Sequence, residues 1–169
     1  MDRSGVTKVL IDSIEGEAIG KVNFVLRDSK NRIWLTVSTK IKNWMSAISP
    51  NIIDGYVALV DDNGIRVVAD GFHFTNEIRL DEKEEWLYVV ETCGKRISRL
   101  RVQENGDLTD REVFGPSDTG GFIDGIAFDS FGNLWGTHVM TDRIFAITPE
   151  GDFKTLFDDS DPTSNTELM

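Results

Sequence analysis

The sequence has few of the residues that form disulfides or metal clusters: its 169 residues include one cysteine, Cys93, and two histidines. A single cysteine can form no intrachain disulfide and belongs to no multi-cysteine metal motif, so we expect Cys93 to be a packing residue. No apolar run approaches the roughly 20 residues that cross a bilayer, and the first five residues do not lead into a signal-peptide core. These absences predict a cytoplasmic globular protein, although a clipped N-terminus would hide a signal.

Basic residues are scarce relative to acidic ones. The chain has 18 Lys and Arg against 29 Asp and Glu, which gives a formal net charge of -11. A negative field of this size repels nucleic acid and anionic lipid surfaces. We therefore expect neither a nucleic-acid partner nor a membrane partner. The hydrophobic content of 40% is enough for one ordinary core.

A short pattern occurs three times, at intervals of about 50 residues. In each copy an Asn or Asp is followed five residues later by an Asp, and an aromatic residue comes about a dozen residues after the start. The copies are Val22 to Asp28 leading to Trp34, Thr75 to Asp81 leading to Tyr88, and Ile123 to Asp129 leading to Trp135. Such a period is typical of a β-propeller blade of four short strands.

The apolar pattern between turn residues predicts strands throughout and hardly any helix. We place blades at approximately 21–70, 73–114 and 122–157, and interpret 8–12 as the outermost strand of a preceding blade. The first blade carries an insertion, Ser38 to Gly55, whose apolar residues predict a packed flap or lid. The fold class is therefore all-β, a single partial propeller domain over 1–169 with three four-stranded blades.

Three blades do not close a propeller ring, which typically needs four to eight. The exposed faces of the end blades need a cover. Either the natural protein is longer and this chain is a fragment, or two copies form a homodimer that completes one ring. The start in mid-blade and the tail 158–169, which has the character of a loop, favour the fragment.

The repeated polar residue comes at the start of the first strand of each blade. This strand lines the central channel of a propeller, so Asn23, Asn76 and Asp124 should converge at one rim. One carboxylate and two amide carbonyls match a hard divalent cation such as calcium or magnesium. Capping of turns is an equally routine role for Asn and Asp, so both interpretations stay open. The second repeated residue (Asp28, Asp81 and Asp129) is predicted to bond the backbone of a turn.

Both histidines are candidates for the same rim. His73 lies three residues before Asn76, where it could contact substrate, transfer a proton or bind a metal. A single histidine is more often structural, and this alternative stays open. His138, at the end of a second strand, is a weaker candidate.

The stretch Phe122 to Trp135 resembles the senescence-marker-protein and gluconolactonase family of six-bladed propellers. Thr75 to Leu80, followed by Trp86 to Tyr88, looks like the second metal-ligand motif of that family, and Lys21 to Asn23 looks like its Arg-x-Asn-Asp segment. The resemblance covers Lys21 to Phe157 and implies that the chain is about half of a six-bladed propeller.

This resemblance implies a divalent cation at the channel mouth, with calcium first and magnesium or zinc as alternatives. Asn76 and Asp124 would be direct ligands, Asn23 would lie beside the metal or touch substrate, and Lys21 would contact substrate. The chain departs from the family pattern in four ways: Lys21 stands for the usual Arg, Phe24 for Asp and Glu77 for a frequent Gly, and the early-blade Glu motif is absent.

The function implied by the resemblance is metal-dependent hydrolysis of lactones or related esters, acting on a small lactone or sugar acid. Asp124 would accept the proton of the attacking water. Two other hypotheses remain: a non-catalytic propeller that acts as a binding or scaffold module, and an inactive fragment without the early-blade Glu. Since a fold can host any of these, the site must decide between them.

Overall fold

The computed structural model describes residues 3–159, whose regular secondary structure is β-strand apart from one turn of 3-10 helix. A short hairpin comes first, with β1 at Ser13–Ile14 and β2 at Glu17–Ala18. Sheet 1 contains β3 (Val22–Arg27), β4 (Ile33–Val37), β5 (Gly55–Asp61) and β6 (Gly64–Phe72). Sheet 2 contains β7 (Thr75–Leu80), β8 (Trp86–Glu91), β9 (Arg96–Val102) and β10 (Leu108–Phe114). Sheet 3 contains β11 (Phe122–Phe128), β12 (Leu134–Val139), β13 (Arg143–Ile147) and β14 (Phe153–Asp158).

Each sheet is an antiparallel meander in which the strands pair in chain order. The first strands of neighbouring sheets, β3, β7 and β11, lie against one another and so form the inner edge of the assembly. This is the arrangement of propeller blades, and it confirms the predicted all-β fold of three four-stranded blades. We call the end of the sheets at which β3, β7 and β11 begin the rim.

The second repeated aspartate closes the turn at the end opposite the rim. Asp28 accepts hydrogen bonds from the Arg32 backbone N–H (2.8 Å) and from the Trp34 indole N–H (2.9 Å). Asp129 and Trp135 repeat the indole bond at 2.9 Å. Asp81 accepts hydrogen bonds from the Glu85 and Trp86 backbone N–H groups, so the predicted turn bonding is present in all three blades. In blades 1 and 3 the aspartate also bonds the indole of the second strand.

The core lies between the sheets. Sheets 1 and 2 enclose one apolar cluster, which includes the fully buried Trp34, Phe72, Ile78 and Leu87. Sheets 2 and 3 enclose another, which includes Tyr88, Ile97, Phe114, Ile123 and Phe145. Sheet 2 thus packs on sheet 1 through one face and on sheet 3 through the other. This packing fixes the relative positions of the three inner strands at the rim.

The segment 8–12 is not a strand, which corrects the sequence prediction. A strand needs a partner for its backbone, and none of the described strands pairs with this segment. The local structure is instead the hairpin β1–β2, which turns at Glu15 and Gly16, both with positive φ. The hairpin places Ile14 against the outer face of sheet 1 and so covers part of it. Of the tail 158–169, Asp158 is the last residue of β14 rather than part of a loop, and residues 160–169 lie outside the described residues.

The outer face of sheet 3 remains open to solvent. Its apolar side chains are partly exposed: Trp135 (40%), Val139 (37%), Ile144 (39%) and Leu156 (48%). Among residues 3–159, no helix is long and apolar enough to span a membrane.

The insertion Ser38 to Gly55 is a packed flap at the rim. It contains one turn of 3-10 helix, Trp44–Ala47. Ala47 is fully buried and packs with Phe74, just before β7, and Cys93, just after β8. Burial raises the pKa of the Cys93 thiol, as is usual for a packing cysteine.

Candidate functional site

The three repeated polar residues lie at equivalent β-bulges. In each inner strand the register with the second strand shifts at the same point, and the shifts contain Asn23, Asn76 and Asp124. A bulge places two residues opposite one and changes the direction in which a side chain points. In each blade the bulge therefore changes the direction of the repeated polar side chain near the rim. Strict alternation of side chains along a strand would not predict that direction.

Asn76 and Asp124 are brought into direct contact. The Asn76 side-chain N–H donates to Asp124 Oδ1 at 2.8 Å, across the joint between sheets 2 and 3. Asn76 is half-buried, whereas Asp124 is exposed. The sequence predicted that these two residues converge, and the fold places them side by side.

Two hydroxyl groups hold the asparagines. Asn23 donates to Ser38 Oγ at 3.1 Å, and Asn76 donates to Thr92 Oγ1 at 3.2 Å. Ser38 in turn donates to the backbone carbonyl of Thr75 at 2.7 Å, directly before Asn76. Asn23 is therefore linked to Asn76 through Ser38 and one backbone residue. Sequence reasoning missed both hydroxyls, although each comes directly after a second strand.

The donor chemistry of the pair fits a hard divalent cation. Both amide protons of Asn76 are used, one on Thr92 and one on Asp124, so its Oδ1 remains available as an acceptor. Amide and carboxylate oxygens are the ligands that calcium and magnesium prefer. Within residues 3–159 no three His, Cys, Asp or Glu side chains converge on one point. Further ligands would therefore be amide oxygens such as that of Asn23, water or substrate.

His73 lies apart from the asparagine–aspartate pair. Its Nδ1 contacts Glu91 Oε2 at 2.9 Å, and its backbone N–H donates to the same oxygen at 3.1 Å. The ring borders a separate cavity of about 500 Å³ at the rim. That cavity is also lined by Pro50, Cys93, Gly94, Lys95, Arg96, Asp118 and Phe122.

Glu91 is a fully buried carboxylate that accepts hydrogen bonds from two strands and a loop. It accepts hydrogen bonds from Arg96 (3.0 Å), Ser98 (2.6 Å) and Arg111 (3.1 Å), besides those from His73. Burial alone would raise the pKa of Glu91, but the bonds from Arg96, Ser98 and His73 outweigh it and hold the pKa at about 2. The cluster anchors the segment that leads into β7 and Asn76.

The depressed pKa of Glu91 predicts acid sensitivity. The unfolded carboxyl titrates near 4.5 and the folded one at about 2, so its contribution is complete above pH 4.5 and is lost as the pH falls towards 2. This gap corresponds to about 3 kcal/mol of unfolding free energy. Urea unfolding at pH 7, 5 and 3 should show the loss, and Glu91→Gln should lack that part of it. An identical pH slope in the variant would contradict the assignment.

Lys21 lies beside the flap. Its ammonium is 5.5 Å from the centre of the Trp44 ring, which itself contacts Phe74. This cation–π contact places Lys21 at the rim, one residue before β3 and two before Asn23. It does not contact Asn76 or Asp124 through any hydrogen bond of the described residues.

Glu77, which stands where the family often has Gly, bridges sheets 2 and 3. It accepts a hydrogen bond from the Ile126 N–H at 3.1 Å and pairs with Arg79, which donates to the Ile126 carbonyl at 3.0 Å. His138 is buried, contacts Thr119 Oγ1 at 3.0 Å and packs in a tilted arrangement against the Phe145 ring. Burial lowers the pKa of His138, so it is a neutral core residue at pH 7.

Known proteins with similar sequences are lactone and aryl ester hydrolases by name. Human serum paraoxonase/arylesterase 2 is 30% identical over 95 residues, which are 55% of this chain and 26% of that protein. Human serum paraoxonase/lactonase 3 is 24% identical over 147 residues, 84% of this chain and 41% of that protein. The chain thus spans less than half the length of these relatives.

Solved structures show the same fold. A gluconolactonase from Xanthomonas campestris superposes with a TM-score of 0.73 at 21% identity, covering 91% of this chain and 52% of that one. Regucalcin, a calcium-binding protein from Agrobacterium tumefaciens, superposes with a TM-score of 0.65 at 18% identity, covering 81% and 44%. The family described as SMP-30/Gluconolactonase/LRE-like region matches residues 2–159. With three blades, a bulge-borne polar set at the rim and a match over nearly its whole length, this chain belongs to the SMP-30/gluconolactonase/LRE-like family.

Proposed function

We propose that the protein is a metal-dependent hydrolase of lactones or related esters. The observation that carries the proposal is the contact between Asn76 and Asp124 on adjacent bulged inner strands. The names of the relatives, a gluconolactonase and a paraoxonase/lactonase, support the same reaction class. The chain spans about half or less of the length of these proteins. We therefore propose the reaction, the substrate class and the cation together.

The cation would be held by Asn76 Oδ1 and the Asp124 carboxylate, with Asn23 as the third oxygen ligand or as a substrate contact. A bound divalent cation supplies a Lewis acid for the lactone carbonyl. Oxygen ligands favour calcium over zinc, and magnesium is the other hard cation to test.

The residues of the chain have distinct roles in this reaction. Asp124 Oδ2 takes the proton of the attacking water, so it serves as the general base. Lys21 would contact the substrate from beside Trp44, and His73 would contact a part of the substrate that extends into the rim cavity. The exposed position of Asp124 gives water access to the carboxylate.

A calcium titration by calorimetry tests the cation site. The wild-type chain should bind one calcium with a Kd on the order of micromolar, within the range of oxygen-ligand protein sites. Asp124→Ala should weaken binding more than about 100-fold, because it removes a direct ligand rather than a neighbour of one. Asp70→Ala, an exposed aspartate on β6, is the matched control and should bind as the wild type does. If the wild type binds no divalent cation, the chain is a scaffold or an incomplete site and the proposal fails.

A partner is proposed for the outer face of sheet 3. Trp135 and Ile144 lie on this face and are partly exposed. The equivalent face of sheet 1 packs on sheet 2, and that of sheet 2 packs on sheet 3. We propose that another blade covers this face, supplied by further chain or by a second copy. Sedimentation at rising concentration should give a dimer if a second copy supplies it.

A further inference from the structure

The same three-membered hydrogen-bond chain occurs in blades 1 and 2. In blade 1, Asn23 donates to Ser38 (3.1 Å), which donates to the Thr75 carbonyl (2.7 Å). In blade 2, Asn76 donates to Thr92 (3.2 Å), which donates to the Ile123 carbonyl (2.8 Å). Each chain thus joins the polar residue of one blade to the backbone directly before the polar residue of the next.

Both hydroxyls occupy one structural position. Ser38 directly follows Val37, the partner of Val22, and Thr92 directly follows Glu91, the partner of Thr75. Both side chains are almost fully buried, so each hydroxyl is surrounded by protein and its bonds have fixed directions. A hydroxyl has one proton, and here the proton is donated to a carbonyl. The hydroxyl oxygen can therefore only accept a hydrogen bond from the asparagine, and the NH₂ group is the end of the amide that donates one.

Blade 3 breaks the pattern in an informative way. The equivalent position is Val139, directly after His138, the partner of Ile123. Valine has no hydroxyl, and the polar residue of this blade is Asp124 rather than asparagine. A carboxylate has two equivalent acceptor oxygens and needs no orientation, whereas an amide presents an acceptor at one end and a donor at the other. The hydroxyl is therefore present where an amide must be oriented and absent where none exists.

We propose that Thr92 and Ser38 are positioning residues that turn the amide oxygens of Asn76 and Asn23 towards the cation. This inference rests on the proposed function, since it names what fixes the ligands of that same site. Thr92 acts through Asn76 and does not touch the cation or substrate. Without the Thr92 hydroxyl, Asp124 Oδ1 is the one remaining acceptor for the Asn76 NH₂ group. The orientation of the amide then depends on a carboxylate that would itself hold the cation.

A purely structural role for these hydroxyls is the alternative. Hydroxyls do join the sheets elsewhere without an amide: the buried Thr75 donates to the Val37 carbonyl at 2.6 Å. Thr75→Val therefore removes a bond between sheets of the same type and leaves the side-chain contacts of both asparagines intact. It is the matched control for Thr92→Val, which removes the bond between sheets and the amide contact together.

The experiment measures calcium binding by calorimetry and the Asn76 side-chain amide by NMR in wild type, Thr92→Val, Thr92→Ser and Thr75→Val. Thr92→Val should weaken calcium binding about 10- to 100-fold, the usual effect of removing a group that orients a ligand. Thr92→Ser keeps the hydroxyl and should restore affinity to within about threefold of wild type. Thr75→Val should lower thermal stability while leaving affinity within about twofold. In cation-free samples, the Asn76 NH₂ signals should shift in Thr92→Val and not in Thr75→Val.

The outcomes separate this inference from the proposed function. A wild type that binds no cation defeats the proposed function, but the NMR comparison still tests the orientation of Asn76. A wild type that binds calcium, with Thr92→Val binding equally well or Thr75→Val binding equally poorly, defeats the positioning role. If Thr92→Val does not fold, Thr92→Ala and Thr92→Ser compared by the same titration decide: equal loss in both overturns the requirement for a hydroxyl.

Discussion

Glu91→Gln should lower the free energy of unfolding by about 3–5 kcal/mol, the cost of removing one member of a buried charge cluster. The carboxylate is fully buried and is the shared acceptor of Arg96, Arg111 and His73. Glutamine keeps the size of the side chain but loses its charge, which leaves two guanidinium groups without their counter-ion. Urea unfolding at pH 7 measures the change.

The matched control for this variant is Glu112→Gln. Glu112 also pairs with an arginine, Arg99, but its side chain is 49% exposed. Exposed ion pairs contribute about 0.2–1 kcal/mol, so the control should differ little from wild type. Equal losses in the two variants would show that Glu91 is not the anchor we describe.

Asp124→Asn should reduce lactone turnover by about 100- to 10,000-fold, the range that a general base contributes. The amide is nearly isosteric with the carboxylate and can still offer one oxygen, but it cannot accept a proton. A pH-indicator assay with a small unsubstituted lactone measures the rate, at calcium concentrations that saturate each variant. Asp70→Asn, an exposed position on β6, controls for the loss of one negative charge.

A particular result would contradict the role of Asp124. If Asp124→Asn keeps wild-type turnover while Asp70→Asn is also active, another group takes the proton, and His73 is the next residue to vary. If the loss appears in KM with unchanged kcat, Asp124 contributes to binding alone.

The blades could be predicted because the signals that define them are local. Short apolar segments between Asp-containing turns predict strands, and the structure has these strands as three four-stranded sheets. The rim set could be predicted because it recurs in sequence. The contact of Asn76 with Asp124 follows from their equivalent places in adjacent blades.

The remaining features depend on pairing between distant segments. A bulge adds a residue to one strand relative to its partner. The residues around Asn76 contain no pattern that predicts this register shift. Thr92 meets Asn76 only because β7 and β8 pair in one particular register. The Glu91 cluster gathers Arg96, Ser98 and Arg111 from two further strands, and no spacing in the sequence identifies such a set.

Asn76 and Asp124 belong to different sheets, and this has a mechanical consequence. Any ligand held by both residues is a cross-link between two blades, so separating the blades and releasing the ligand become a single event. By linkage, each tenfold rise in free ligand above its Kd adds about 1.4 kcal/mol to the work of parting sheets 2 and 3. Slow hydrogen exchange of the Ile126 amide, which Glu77 bonds across the same joint, would then report how firmly the ligand ties the blades together.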